Sequence, residues 1–190
     1  MYTDIFAYLL LQIINGFDWK PEFEISKKYK NRIAHLDLRT CKVCRDMHGK
    51  IWKMEEKPEI EPKIHNRCRC EIKAMVTVKA GTATTKGLDG ADWTLKYESK
   101  LPDYYISYKE AVTTGWKKGK WPSNFIPNKM IHCGKYNNDD EHLPQTVGRI
   151  WYEADINYKI GQRNSQRVLW SNDGLLFITY DHYKTFFEVV

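Results

Sequence analysis

The stretch from Gly148 to Tyr183 concentrates the side chains that could perform acid–base chemistry on a phosphodiester. Its 36 residues contain a carboxylate at Glu153, two guanidinium groups at Arg163 and Arg167, and an imidazole at His182. RNA cleavage without a metal needs a base for the 2′-hydroxyl, an acid for the leaving 5′-oxygen and cations for the charge on phosphorus. Glutamate and histidine, with unperturbed pKa values of about 4.3 and about 6.5, suit the roles of base and acid. The same residues also fit a surface ion pair and an ordinary loop histidine, so both interpretations stay open.

Glu153 and Arg167 lie where polar and apolar residues alternate with a period of two, which is typical of strands. The alternation predicts strands over Arg149–Tyr158, Arg167–Ser171, Leu175–Tyr180 and Thr185–Val189, with a hairpin turn at residues 172–174. Glu153 would lie mid-strand, and the parity of Arg167 allows it to share the same face. A meander of this kind brings both side chains, together with the loop histidine, to one concave surface.

Two helices are predicted to precede the meander. The first spans Ala91–Lys100 and ends before Pro102, because the residue before a proline avoids the helical region. The second begins at a capping box made by Ser107 and Glu110, and Gly115 ends it. Helices followed by a strand meander predict an α+β fold, in which N-terminal helices pack on a twisted antiparallel sheet.

A second group of reactive residues lies earlier in the chain, where four of the five cysteines fall within 30 residues. Two close cysteine pairs are typical of a tetrahedral structural zinc site. The predicted ligands are Cys41, Cys44, Cys68 and Cys70, with His65 as the alternative to Cys68. The other interpretations are disulfides and free buried thiols. A small zinc-binding, cysteine-rich module is therefore expected before the α+β region.

The composition changes over residues 76–90, which are rich in Thr, Gly, Ala and Lys and have no apolar period. This predicts that residues 76–90 are a linker between two units. The first unit, residues 1–75, contains an N-terminal helix at 5–14 and the cysteine-rich module. The second is a domain at residues 91–190. The apolar segment at 5–14 is too short to span a bilayer and does not resemble a secretory signal, so no membrane partner is expected. Of the net charge of +6, residues 1–90 carry +5, so bulk charge does not favour the candidate site.

The C-terminal half resembles the barnase-like family of microbial guanyl-specific ribonucleases. The resemblance rests on five segments that keep their order and spacing: LPDYYIS (101–107), EAVTTGW (110–116), GRIWYEADINY (148–158), GQRNSQRVLWSND (161–173) and TYDHYKTF (179–186). It implies the microbial ribonuclease fold over residues 91–190. It also implies cleavage of single-stranded RNA 3′ to guanosine, by transesterification through a 2′,3′-cyclic phosphate, with no cofactor for catalysis.

The resemblance assigns roles to the residues of the first paragraph. Glu153 becomes the general base and His182 the general acid, while Arg163 and Arg167 become ligands of the phosphate and the transition state. Asp155 corresponds to an aspartate that orients one of the arginines.

A guanine-binding loop and a ring on the substrate side are also implied by the resemblance. They are Tyr136, Asn137, Asn138, Asp140 and Tyr183. Asp140 stands where the family has a longer glutamate, and Asp139 stands where it has an arginine, which weakens the expected binding.

One departure from the family concerns its catalytic lysine at the start of the second helix. Tyr108 occupies that position here. Lys109 follows it and is a candidate substrate ligand, but successive helical residues point about 100° apart. The resemblance therefore implies activity that is reduced rather than absent.

The cysteine-rich segments DLRTCKVCRDMHGKIW (37–52) and PKIHNRCRC (62–70) resemble the C-terminal part of phage minor head, or head-morphogenesis, proteins. This implies that the protein is a phage-associated or delivered toxin. Its expected location is outside the cell, as a secreted or delivered effector, or in the virion. The expected partner is the phage head or the secretion machinery. Two other functions stay open: a structural phage-head protein with a weakened nuclease domain, and a zinc module that binds nucleic acid. By analogy with barstar, an acidic inhibitor that covers Arg163, Arg167 and His182 is expected.

Overall fold

The computed structural model describes residues 19–190, and the helix expected at 5–14 lies outside them. The described part is an α+β structure in which one nine-stranded sheet carries a few short helices. The strands are β1 (Phe23–Ile33), β2 (Ile51–Lys53), β3 (Glu71–Val78), β4 (Tyr105–Ser107), β5 (Met130–Tyr136), β6 (Trp151–Asp155), β7 (Arg167–Ser171), β8 (Leu176–Thr179) and β9 (Phe187–Val189). Their order across the sheet is β2-β1-β3-β9-β8-β7-β6-β5-β4.

The described helices are short, and none of those between residues 19 and 190 is long and apolar enough to cross a bilayer. They are α1 (Lys42–Asp46), α2 (Ala91–Glu98) and α3 (Tyr108–Thr113), with 3-10 turns at Gly87–Asp89 and Pro122–Asn124. The predicted capping box is present at α3, where the side chain of Ser107 accepts from the backbone of Glu110 and the carboxylate of Glu110 accepts in return. Helix α2 ends at Ser99, whose φ of 57° is left-handed.

The two faces of the sheet bury separate apolar clusters. Ala154, Val168 and Ile178 lie on the face covered by α2. Trp151 and Leu169 lie on the opposite face. Successive strand residues point to opposite faces, so Glu153 and Asp155, which follow Trp151 at intervals of two, belong to this second face.

The four strands β6–β9 that the sequence predicts form an antiparallel meander. Strand β5, which no strand pattern in the sequence predicts, pairs antiparallel with β6. Two pairings depart from a purely antiparallel sheet, because β4 runs parallel to β5 and β3 runs parallel to β9. The second of these joins the cysteine-rich part of the chain to the meander: Thr77 pairs with Glu188 and Val78 with Val189.

Residues 76–90 are packed rather than free, which corrects the prediction of a linker. Val78 is fully buried at the end of β3, and Ala83 is buried beneath α2. The buried carboxylate of Asp92 accepts hydrogen bonds from the backbone of Gly81 (2.7 Å) and Ala83 (3.0 Å) and from the hydroxyl of Thr84 (2.7 Å). Small residues suit this close packing. The segment has no apolar period, so its packing could not be predicted from the sequence. The division of the chain into two units stays a prediction.

Candidate active site

The candidate site is built on the neighbouring strands β6 and β7. Their register places Glu153 opposite Leu169 and Asp155 opposite Arg167. Directly paired residues share a face, so the carboxylate of Glu153, the carboxylate of Asp155 and the guanidinium of Arg167 occupy one side of the sheet.

Asp155 pairs with both arginines. Its carboxylate, 1% exposed, accepts two 2.7 Å hydrogen bonds from Nε and Nη2 of Arg163. Nε of Arg167 lies 3.1 Å from the same carboxylate. Burial disfavours the charged guanidinium of Arg163, but the ion pair with Asp155 outweighs it and raises the pKa of Arg163. The two positive groups are thereby fixed beside the strand that carries Glu153.

The two guanidinium groups differ in how free they are to meet a ligand. Arg167 is buried, and its Nη1 donates to the carbonyls of Asn164 (2.8 Å) and Gln166 (2.7 Å). Arg163 lines an open cleft, and its Nη2 also contacts Sγ of Cys133 at 3.2 Å. Arg163 is therefore the more accessible of the two to a phosphate.

Tyr183 connects Glu153 with His182. Its hydroxyl donates a 2.6 Å hydrogen bond to Oε2 of Glu153, and its ring lies 4.7 Å from that of His182, measured between centroids. Burial and this hydrogen bond raise the pKa of Tyr183. His182 is exposed in the loop after β8, and its backbone N–H donates to the carbonyl of Ser165 at 3.1 Å.

The predicted guanine loop follows β5 and meets the same tyrosine. The rings of Tyr136 and Tyr183 stack with centroids 5.3 Å apart. The buried side chain of Asn138 closes the loop, since it donates to the carbonyl of Leu143 (2.9 Å) and accepts from its N–H (3.0 Å). Asn137 and Asp140 are exposed.

A cleft of about 560 Å³ opens between α3, β5 and β6. Its lining residues are Ser107, Tyr108, Lys109, Lys118, His132, Cys133, Gly134, Glu153 and Arg163. The candidate ligand Lys109 is among them, whereas Lys118 and His132 were not anticipated. The loop of Lys118 is held from two sides, because Trp116 Nε1 donates to the carbonyl of Lys120 (2.8 Å) and Gln162 donates to that of Gly119 (3.1 Å). No local motif marks Lys118 or His132, since folding alone brings them to the cleft.

The four predicted metal ligands and the alternative, His65, form two groups that share Cys44. Cys41, Cys44 and His65 form one group of mutually close ligand atoms, and Cys44, Cys68 and Cys70 form another. Sγ of Cys44 lies 3.6 Å from Sγ of Cys68 and 3.6 Å from Nε2 of His65. None of the five cysteines is in a disulfide. Cys133 belongs to neither of the two groups.

The spacing of these atoms suits a tetrahedral ion. Ligand sulfurs about 2.3 Å from a zinc ion lie roughly 3.8 Å from each other, close to the separation of Cys44 and Cys68. Nδ1 of His65 donates to the carbonyl of Asn66 at 2.8 Å, which turns the lone pair of Nε2 towards the cysteines. Burial and the neighbouring sulfurs raise the pKa of Cys44 to about 12. A divalent cation would offset this crowding of negative charge.

A carboxylate beside paired guanidinium groups, with lysines across a cleft, is an arrangement suited to binding a phosphodiester. A family model described as ribonuclease matches residues 89–190, and the chain belongs to this family. A ribonuclease of Heyndrickxia coagulans is 39% identical over 109 residues, which cover 56% of this chain and 99% of that protein. Ribonucleases of Bacillus intermedius and Bacillus pumilus are each 39% identical over 109 residues, covering 56% of this chain and 67% of each relative.

Residues 89–190 are therefore a barnase-family ribonuclease domain, and its substrate is RNA. The resemblance of residues 37–70 to phage head proteins stays a prediction.

Proposed function

We propose that the C-terminal half cleaves single-stranded RNA on the 3′ side of guanosine, without a metal in the reaction. Glu153 takes the proton of the 2′-hydroxyl, whose oxygen attacks phosphorus. The bond from phosphorus to the 5′-oxygen breaks, and His182 donates a proton to that oxygen. The product is a 2′,3′-cyclic phosphate, which water then opens more slowly with the two roles reversed.

The observation that carries this proposal is the pairing of Asp155 with Arg163 and Arg167 on the strand face of Glu153. Fixed guanidinium groups stabilise the charge that develops on phosphorus and need no reorganisation during the reaction. The hydrogen bond from Tyr183 to Glu153 supports the assignment of acid and base, because it brings the loop that carries His182 up to the proposed base. The 2′-hydroxyl is the nucleophile, so DNA is not a substrate.

The guanine preference is carried by the loop that Asn138 closes. Its fixed backbone suits recognition of guanine O6 by the N–H groups of Asn137 and Asn138, with the exposed carboxylate of Asp140 accepting from guanine N1–H and N2–H. Stacking on Tyr136 or Tyr183 would add affinity without base selectivity.

Cleavage of the four dinucleotides GpA, ApA, CpA and UpA in buffer without added divalent ions tests the proposal. GpA is expected to be cleaved fastest and to give a cyclic phosphate first. Glu153→Ala and His182→Ala should each lose about 100-fold or more in kcat, while the exposed Glu98→Ala retains wild-type turnover. Undiminished cleavage by either active-site variant would refute the assignment.

A structural zinc site in the N-terminal part is the second proposal, favoured by two groups of close ligand atoms that share Cys44. Cys41, Cys44, Cys68 and Cys70 hold the ion, with His65 as the alternative to Cys68. The ion takes no part in RNA cleavage.

Metal content of the purified full-length chain tests this site directly. One zinc per chain is expected, and Co²⁺ substitution should give the visible absorption of a tetrahedral thiolate site. Cys70→Ser should abolish this stoichiometric binding. Cys133→Ser, which changes the cysteine outside the cluster, should retain one ion; metal-free wild-type protein with full stability would contradict the proposal.

The biological setting that we propose is a delivered or phage-associated toxin, with an acidic inhibitor that covers Arg163, Arg167 and His182 in the producing cell. The positive groups of the site would attract such a partner, as they attract RNA. Expression of the wild-type chain alone should therefore arrest growth, whereas Glu153→Ala should not. Equal growth of cells expressing either chain would count against a toxin.

A further inference from the structure

Residues 46–51, here called the 46–51 turn, connect α1 with β2 and lie against the nuclease loop 138–143. The N–H of Ile51 donates to the carbonyl of His142 at 2.9 Å. Nε2 of His142 donates to the carbonyl of Asp46 at 3.1 Å, and Lys50 forms a 3.4 Å ion pair with Glu141. Three polar contacts therefore join the turn to the loop that Asn138 closes.

The same turn approaches the loop 181–186, which carries His182 and Tyr183. Gly49 has a φ of +85°, and a Cβ at this position would lie 2.6 Å from the carbonyl oxygen of Lys184. Ile51 is buried in one apolar cluster with Leu143 and Phe186, one residue from each loop region. The two backbones are thus packed too closely to admit any side chain at position 49.

The loop 181–186 needs support from its surroundings. His182 and Tyr183 are successive left-handed residues, with φ values of 61° and 67°. Such conformations are costly for residues other than glycine and persist where neighbouring structure holds them. The side chains of Thr179 and Asp181 supply part of that support, since they accept from the N–H groups of Tyr183 and Thr185 at 2.9 Å each.

We propose that the 46–51 turn is a positioning element of the active site. It holds the guanine loop and the loop of His182 against the sheet, and so sets both guanine affinity and the placement of the imidazole. The cysteine-rich half of the chain then contributes to the activity of the nuclease domain to which it is fused. This inference rests on the proposed function of the two loops.

Gly49→Ala in the full-length chain tests the proposal, because the new methyl group must displace the loop 181–186. Gly174→Ala is the matched control: its φ is +89°, and nothing lies within 4 Å of an added Cβ. Both variants carry the same backbone strain, but only the first disturbs the contact. Gly49→Ala should lower kcat/KM on GpA by about tenfold relative to Gly174→Ala and reduce the GpA to ApA ratio, since small misplacements of reacting groups are costly.

Hydrogen exchange provides a readout that does not depend on catalysis. The amides of residues 183–185 and of Leu143 should exchange faster in Gly49→Ala than in Gly174→Ala, while those of helix α3, which is remote from both substitutions, do not change. Kinetics and exchange that are the same in both variants would overturn the proposal. If the wild-type chain does not cleave RNA, the proposed function fails, and the exchange result alone decides whether the turn holds the loops.

A second pair of variants covers the case in which Gly49→Ala does not fold. Lys50→Ala removes the ion pair with Glu141 and a longer one with Glu59, and Lys53→Ala removes an exposed lysine of the adjoining strand. Lys50→Ala should raise KM for GpA and speed exchange at Leu143, Lys50→Arg should restore both, and Lys53→Ala should resemble the wild type. Lys50→Ala with wild-type KM and exchange would count against the proposal.

Discussion

The hydroxyl of Tyr183 donates a 2.6 Å hydrogen bond to Oε2 of Glu153, the carboxylate proposed as general base. The donor occupies one of the two oxygens that could accept a proton from RNA. We therefore expect Oε1, the oxygen that Tyr183 does not contact, to receive the proton.

Replacing Tyr183 by Phe separates the hydrogen bond from the ring. Loss of a hydrogen bond to a charged group should lower the free energy of unfolding by about 1–2 kcal/mol, measured by urea denaturation. Turnover of GpA should stay within about tenfold of wild type because Oε1 remains available. Tyr183→Ala also removes the stacking on Tyr136 and should raise KM further. A loss of kcat beyond about 100-fold in Tyr183→Phe would instead give the hydroxyl a part in the reaction.

Asp155→Asn should strongly destabilise the fold. The buried carboxylate is the shared partner of Arg163 and Arg167, and its replacement leaves two guanidinium groups close together without that negative charge. Removing one partner of a buried ion pair typically costs about 3–5 kcal/mol. Urea unfolding measures this loss, with the exposed Asp139→Asn as the control. A change below about 1 kcal/mol would mean that water reaches the pair.

Local sequence patterns predicted the part of the fold that carries the site. The capping box at Ser107 and Glu110 marked the start of α3, and its two reciprocal hydrogen bonds are present. The alternation around Glu153 indicates a strand, and the parity of Arg167 allows it to share the face of Glu153. The pairing of Arg167 with Asp155 agrees with that. Such features depend on residues close in sequence, so the sequence alone is sufficient to indicate them.

The N-terminal strands escaped prediction because their patterns are irregular. The pairing of β1 with β3 shifts register between Ile25 and Lys30, and the hydroxyl of Ser26 accepts from the backbone of Lys28 and Tyr29 at this bulge. A strand with such a shift loses its period of two. The positions of Lys118 and His132 in the cleft were equally hidden, since they depend on contacts between distant segments.

Tyr108→Lys should raise activity if the family's lysine position still faces the phosphate. Tyr108 now lines the cleft, and its ring packs edge-on against Trp116 with centroids 5.3 Å apart. A lysine there would add positive charge and raise kcat/KM on GpA by about tenfold, with a loss of roughly 1 kcal/mol from the aromatic contact. Steady-state kinetics and urea unfolding measure the two effects. Unchanged kinetics would indicate that Lys109 or Lys118 already supplies this charge.

Lys118→Ala should weaken RNA binding more than Lys117→Ala. The two lysines are neighbours and both are exposed, but only Lys118 lines the cleft with Glu153 and Arg163. Loss of one phosphate contact should raise KM severalfold and reduce the slope of log KM against log salt by about 0.7. The measurement is steady-state kinetics on a short guanosine-containing oligonucleotide between roughly 50 and 200 mM salt. Such contacts are screened over about this range. Equal effects of the two substitutions would exclude a specific contact.

Asp173 should make the stability of the protein depend on pH in the acid range. Its hydrogen bonds with Arg149 lower its pKa from the ordinary 3.8 to about 2. A carboxylate whose pKa is lower in the folded state stabilises the fold above the unfolded value, and this contribution is lost as the pH falls from about 4 to about 2. The side chain is 43% exposed, so solvent screening limits the effect to about 1 kcal/mol. Urea unfolding of wild type and Asp173→Asn at intervals between those pH values should show two curves that converge on acidification, with the exposed Asp103→Asn following the wild type. Parallel curves would mean that the ion pair with Arg149 contributes nothing to folding.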